Sequence, residues 1–92
     1  MATILSKIKR AILSADYRFG EYCIKEIAAD NLTLTEVLSA ILNAHEFDKL
    51  TGDESHIRYR LYGLSENERE IVIVVFLSQG TLFVKTVYET TF

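Results

Sequence analysis

The stretch that decides the fold is Ile71-Val72-Ile73-Val74-Val75-Phe76-Leu77, seven apolar residues in a row. Its β-branched residues suit a pleated, packed surface. An uninterrupted apolar run predicts a strand covered on both faces, and therefore one that is central in its sheet. Ser78-Gln79-Gly80-Thr81 follows, and then a second β-rich arm, Leu82-Phe83-Val84-Lys85-Thr86-Val87-Tyr88. The break between the arms contains a glycine, which predicts a hairpin with a short loop.

Upstream, His56-Ile57-Arg58-Tyr59-Arg60-Leu61-Tyr62 alternates strictly. Ile57, Tyr59 and Leu61 fall on one face and His56, Arg58, Arg60 and Tyr62 on the other, as in a half-buried strand. Residues 63–69 read as a polar connection and 51–55 as loop chemistry. Residues 45–50 fit either a short strand or an irregular lead-in.

The first half of the chain has a helical period. Ile4, Ile8 and Ile12 repeat every fourth position within an amphipathic helix over 2–14. Ser14 or Asp16 would cap the start of a second helix over 17–29, where Phe19, Cys23 and Ile27 repeat the spacing. Gly20 lies in its first turn, and the two segments can also be read as one kinked helix. Asp30-Asn31 ends it. Thr33-Leu34-Thr35-Glu36 is a capping box for a third helix, with Leu34, Val37, Leu38, Ile41 and Leu42 as its apolar stripe and Asn43 at its end. The expectation is one α+β domain over 1–92, with two or three N-terminal helices packed on one face of a three- or four-stranded antiparallel sheet.

With 92 residues, 49 % hydrophobic and 25 % charged, the chain can bury a core without staples. Its single cysteine, Cys23, gives no sign of a disulfide framework, and its place on an apolar stripe predicts a buried structural thiol. The N-terminus lacks the apolar core of a signal peptide and no run reaches membrane-spanning length. A cytoplasmic protein without membrane contact is expected. The net charge of −3 weighs against whole-surface attraction to nucleic acid, and leaves room for a local basic patch.

Arg58 and Arg60 are the residues that best suit such a patch. Two guanidinium forks on one sheet face, beside His56 and Tyr62, can meet phosphates, and aromatics among them can meet RNA bases. The competing reading is a solvated polar face balanced by Glu66, Glu68 and Glu70. Lys85, placed by simple alternation on the side of Phe83 and Val87, reads as an edge guard or as a shifted base. His45, His56, Cys23, Asp48, Asp53 and Glu54 show no metal-ligand spacing, and no glycine loop cradles phosphate, so neither metal nor cofactor is expected.

The order of motifs resembles a family of small bacterial domains of unknown function grouped with the RelE- and BrnT-like toxins. The resemblance covers about 22–89. Its carriers are Asn31-Leu32-Thr33-Leu34-Thr35-Glu36-Val37 leading into Ala40-Ile41-Leu42-Asn43, then Arg58-Tyr59-Arg60-Leu61-Tyr62-Gly63, then Ile71-Val72-Ile73-Val74-Val75 with Val84-Lys85-Thr86-Val87-Tyr88-Glu89. The family pattern opens with His-Ala-x-x-Arg and Arg-Gly-Ile. Here Tyr22 and Cys23 stand at the His-Ala, Glu26 at the first Arg, and Asp30 and Asn31 at the Arg-Gly.

The resemblance implies a metal-independent endoribonuclease of a toxin–antitoxin-type system, in which the 2′-OH of the RNA attacks. Arg58 or Arg60 would stabilise the phosphate charge and Tyr88, His56 or Lys85 would move the proton. Thr86 and Lys85 would contact substrate. Partners would be RNA and a cognate antitoxin. The alternative is a catalytically inactive binding or regulatory module of the same fold, acting through protein–protein contacts or as a homodimer, with 81–92 free to pair edge to edge with a partner strand.

Overall fold

Three helices and five strands follow in the order α1 (Ile4–Leu13), β1 (Tyr17–Phe19), α2 (Glu21–Ala29), α3 (Leu34–Asn43), β2 (Glu46–Leu50), β3 (Arg58–Leu64), β4 (Glu70–Ser78) and β5 (Thr81–Glu89). The structure is a computed structural model that describes residues 3–50, 56–65 and 67–90. The expected loop at 51–55 and the acid Glu66 lie outside them.

The strands form one sheet in the order β1-β5-β4-β3-β2, so the apolar run at β4 is central, as its composition predicts. From β2 to β5 the pairings are antiparallel. The expected three- or four-stranded antiparallel sheet is corrected at its first edge, where Tyr17–Phe19 runs parallel to β5 with Tyr17 opposite Leu82. The helix expected over 17–29 is thus a short strand followed by a helix. Phe19 shares the four-residue spacing of Cys23 and Ile27, but it packs on the core from the sheet and they pack from α2.

Local chemistry explains the boundaries. Ser14 closes α1 rather than opening α2, and Gly20 is the N-cap of α2. After α1 and α2 the chain enters the left-handed region at Ala15 and Asn31 (φ 57° and 55°). The amides two residues past each C-cap then return to the helix, Asp16 to the Ala11 carbonyl at 2.8 Å and Leu32 to that of Ile27 at 2.9 Å. This is the Schellman arrangement, which satisfies carbonyls that a helix end leaves open. The capping box at Thr33 and Glu36 forms as read, with Thr33 Oγ1 accepting from the Glu36 amide at 3.1 Å. Gln79 and Gly80, both at positive φ, make the two-residue hairpin loop between β4 and β5.

Buried residues of all three helices, Ile8, Ile12, Cys23, Ile27, Val37 and Ile41 among them, join one face of the sheet in a single core. That face supplies Leu61 from β3, Ile71, Ile73 and Val75 from β4, and Leu82, Val84 and Val87 from β5. Gly63 lets α3 approach β3, since a Cβ there would fall on the Ala40 carbonyl group, 2.8 Å from its carbon. Val72 is buried but belongs to no part of this core. It points to the other face, as do Val74 and Phe76 by alternation, and no layer of described residues covers that side. The expectation of cover on both faces of β4 holds for one.

Candidate nucleic-acid interface

The register of the strands arranges the uncovered face in rows. Arg58, Phe76 and Phe83 lie side by side across β3, β4 and β5, with Arg18 of β1 next to Phe83. Arg60, Val74 and Thr86 form the next row, flanked by Asp48 of β2. Tyr62, Val72 and Tyr88 form the third, flanked by Glu46. All six residues expected at a site, His56, Arg58, Arg60, Lys85, Thr86 and Tyr88, therefore belong to one side of the sheet, but they divide into two groups.

The first group centres on Phe76. The His56 ring stacks on it with centroids 4.7 Å apart, and Phe83 stacks on it at 4.9 Å with the planes 10° apart. Lys85 Nζ stands 6.0 Å from the centre of the Phe76 ring, at the outer reach of a cation–π contact. A bulge puts it there. Val74 opposes Thr86 whereas Val75 opposes Val84, so Lys85 is the unpaired extra residue of β5. The bulge also shifts the alternation, sending Phe83 to the outer face and Val87 into the core, fully buried. Grouping Lys85 with both Phe83 and Val87 is corrected on that ground. Arg58, Arg18 and Lys85 have no carboxylate partner among the described residues.

The second group is already occupied. Tyr62 donates its hydroxyl hydrogen bond to Asp48 Oδ2 at 2.5 Å, and the Arg60 guanidinium lies 3.7 Å from the same oxygen. Tyr62 chiefly, with Tyr88 and Asp48 behind it, holds Arg60 in its charged form and raises its pKa above the ordinary value. The counter-charge of Arg60 thus comes from the neighbouring strand. Of the acids expected to balance it, Glu68 forms no ion pair with it, Glu70 accepts from Thr90 Oγ1 at 3.1 Å, and Glu66 lies outside the described residues. Val72 and Phe76 are four positions apart on β4, so Tyr88 stands roughly 13 Å along the strand from the His56 group.

Cys23 and Glu89 both have structural surroundings. Cys23 is fully buried, and burial, with Glu26 nearby, pushes its thiol up to about 11. It remains a thiol at neutral pH and is no nucleophile. Glu89, the last residue of the motif at 84–89, takes a two-pronged hydrogen bond from Arg69, both at 2.7 Å. The same guanidinium donates to the carbonyls of Asp30 at 2.9 Å and Asn31 at 3.0 Å, and to Glu36 Oε2 at 3.4 Å. Arg69 therefore ties the end of α2, the start of α3 and β5 together. Its hydrogen bonds to Glu89 hold the carboxylate below its ordinary pKa and raise its own.

The sequence signals missed Phe76, Phe83 and Asp48. All three look like ordinary strand residues until the register puts them beside His56 or Arg60. Pairing of 81–92 with a partner strand is also corrected in part: β5 is interior where β1 covers Leu82, Phe83 and Val84, and 91–92 lie outside the described residues. Among the described residues no three His, Cys, Asp or Glu side chains gather, and no helix is long and apolar enough to cross a membrane. Neither a family model nor a curated protein matches the chain.

Proposed function

We propose that this protein acts on single-stranded RNA through the uncovered face of its sheet, as a toxin-like, metal-independent endoribonuclease. One observation carries the reading: the His56–Phe76–Phe83 ring column, with Arg58 and Lys85 beside it, neither paired with a carboxylate among the described residues, on a side of the sheet that no layer of described residues covers. The end faces of the ring column accept bases of any sequence and the cations accept the neighbouring phosphates, the combination that single-strand binding needs. The net charge of −3 does not oppose this locally among the described residues, whose outer-face acids Glu46, Asp48 and Glu70 sit toward the second group.

In the proposed reaction the 2′-OH attacks the adjacent phosphorus as the His56 imidazole takes its proton. The P–O5′ bond breaks, the Lys85 ammonium supplies the proton to the departing 5′ oxygen, and a 2′,3′-cyclic phosphate and a 5′-OH result. Arg58 stabilises the charge on the phosphoryl oxygens, work that has a large share in such reactions. Arg60 and Tyr88 take no part in this step. Kinship with the RelE- and BrnT-like toxins belongs to the same proposal and rests on the order of the motifs from Asn31 to Glu89.

Controlled expression in a bacterial host, with growth and cellular RNA followed together, tests the reading. Wild-type protein should arrest growth and cleave RNA. Arg58→Ala should lower cleavage by about 10²-fold or more, the usual cost of losing one group that stabilises the transition-state charge, and Arg60→Ala should leave it close to wild type. Normal growth and intact RNA from soluble wild-type protein would remove the catalytic assignment. One observation favours the second reading, an inactive binding module: half of the face, around Arg60, is satisfied internally by Asp48 and Tyr62. RNA retained uncut by the purified protein would establish it.

A further inference from the structure

We infer that the RNA path continues from the ring column into the groove beneath α1, where Lys7 and Arg10 take the phosphate of a nucleotide flanking the stacked ones. The inference rests on the reading above and extends its substrate from single bases to a strand that runs round the end of the sheet.

The groove, about 730 Å³ in volume, lies between α1 and the end of the sheet where β3 begins and β4 turns into β5. Ile4, Ala11, Ile57 and Leu77 give it an apolar floor, and Tyr59 adds a ring. Lys7 and Arg10 line it from α1. Both are exposed, and neither has a carboxylate partner among the described residues. Asp16 is the one acid in the described lining, and its Oδ1 accepts from Thr81 Oγ1 at 2.8 Å.

His56 joins the two surfaces. It lines this groove and also stacks on Phe76, so the groove opens where the ring column starts. A strand with one base stacked on the His56 end of the column reaches the groove with its next nucleotide. An apolar floor for the base and two cations with no carboxylate partner among the described residues match that nucleotide in shape and charge. A groove lined by acids, or one whose cations were paired, would not.

The test is equilibrium binding of 2′-O-methyl trinucleotide and hexanucleotide RNA, which cannot be cleaved by 2′ attack, over a salt series. It compares wild type with Lys7→Ala/Arg10→Ala and with Lys85→Ala, each shown to be folded by circular dichroism. Wild type should bind the hexanucleotide more tightly than the trinucleotide. The Lys7→Ala/Arg10→Ala variant should bind the hexanucleotide roughly tenfold more weakly at low salt, with the slope of log K against log salt reduced by about 0.7, and should keep its trinucleotide affinity. Lys85→Ala should weaken both. Wild-type hexanucleotide affinity and slope in the double variant, with Lys85→Ala still impaired, would overturn the groove and leave the sheet surface standing. Failure of wild type to bind either probe, including the case of a protein that only self-associates, would overturn both.

Discussion

Arg69 shows how one side chain can serve three segments. Its fork holds Glu89, and its outer nitrogens satisfy the carbonyls of Asp30 and Asn31 at the end of α2. The contact lowers the Glu89 pKa below its ordinary 4.5, so the folded protein binds that proton less readily than the unfolded chain. The resulting stabilisation is fully present above about pH 5 and is lost as the pH falls through the folded value. Glu89→Gln should therefore lower the urea midpoint at pH 7, and by less at pH 3, where the wild-type contribution from this site is being lost. Equal differences between the two proteins at both pH values would show that Glu89 is not titrating against Arg69. Nothing in the sequence signals this pairing, because the partners are 20 positions apart and Arg69 looks like part of a polar connection. Asp48 was hidden for the same reason: its bond to Tyr62 depends on a strand register that only the folded sheet defines.

At the scale of elements, legibility followed the length of the pattern. The seven apolar residues of β4 and the capping box of α3 are local signals that tertiary structure has no reason to override. β1 is three residues long, too short for alternation to declare itself, and Phe19 continues the helical spacing of α2 by coincidence. The bulge at Lys85 was equally invisible, since one extra residue leaves composition unchanged while reversing which side chains face the core. The packing of α3 on β3 has its own test. Gly63→Ala places a methyl group against the Ala40 carbonyl, where backbone must move to admit it. Thermal or urea unfolding of the variant should show a loss of about 2–3 kcal/mol, the scale of a forced backbone shift in a packed site. Unchanged stability would mean that α3 can lift from β3 at no cost.

For the whole molecule, the sheet carries a gradient of protection. β4 has a strand on each side and the helices on one face, whereas β2 is an edge whose residues are exposed except for half-buried Leu50. In native-state hydrogen exchange the hydrogen-bonded amides of β4 should exchange only through global unfolding, and those of β2 at least about a hundredfold faster through local opening. Uniform protection across the five strands would contradict the edge position of β2. The parallel pairing of β1 with β5 has a different consequence, in the order of synthesis. Tyr17 meets Leu82, and Phe76 meets Phe83, so the first edge of the sheet and the ring column both wait for the same late segment. A chain still emerging from the ribosome holds β1 without its neighbour and Phe76 without Phe83. The surface proposed to meet RNA thus comes into being only after residues 81–89 have left the exit tunnel.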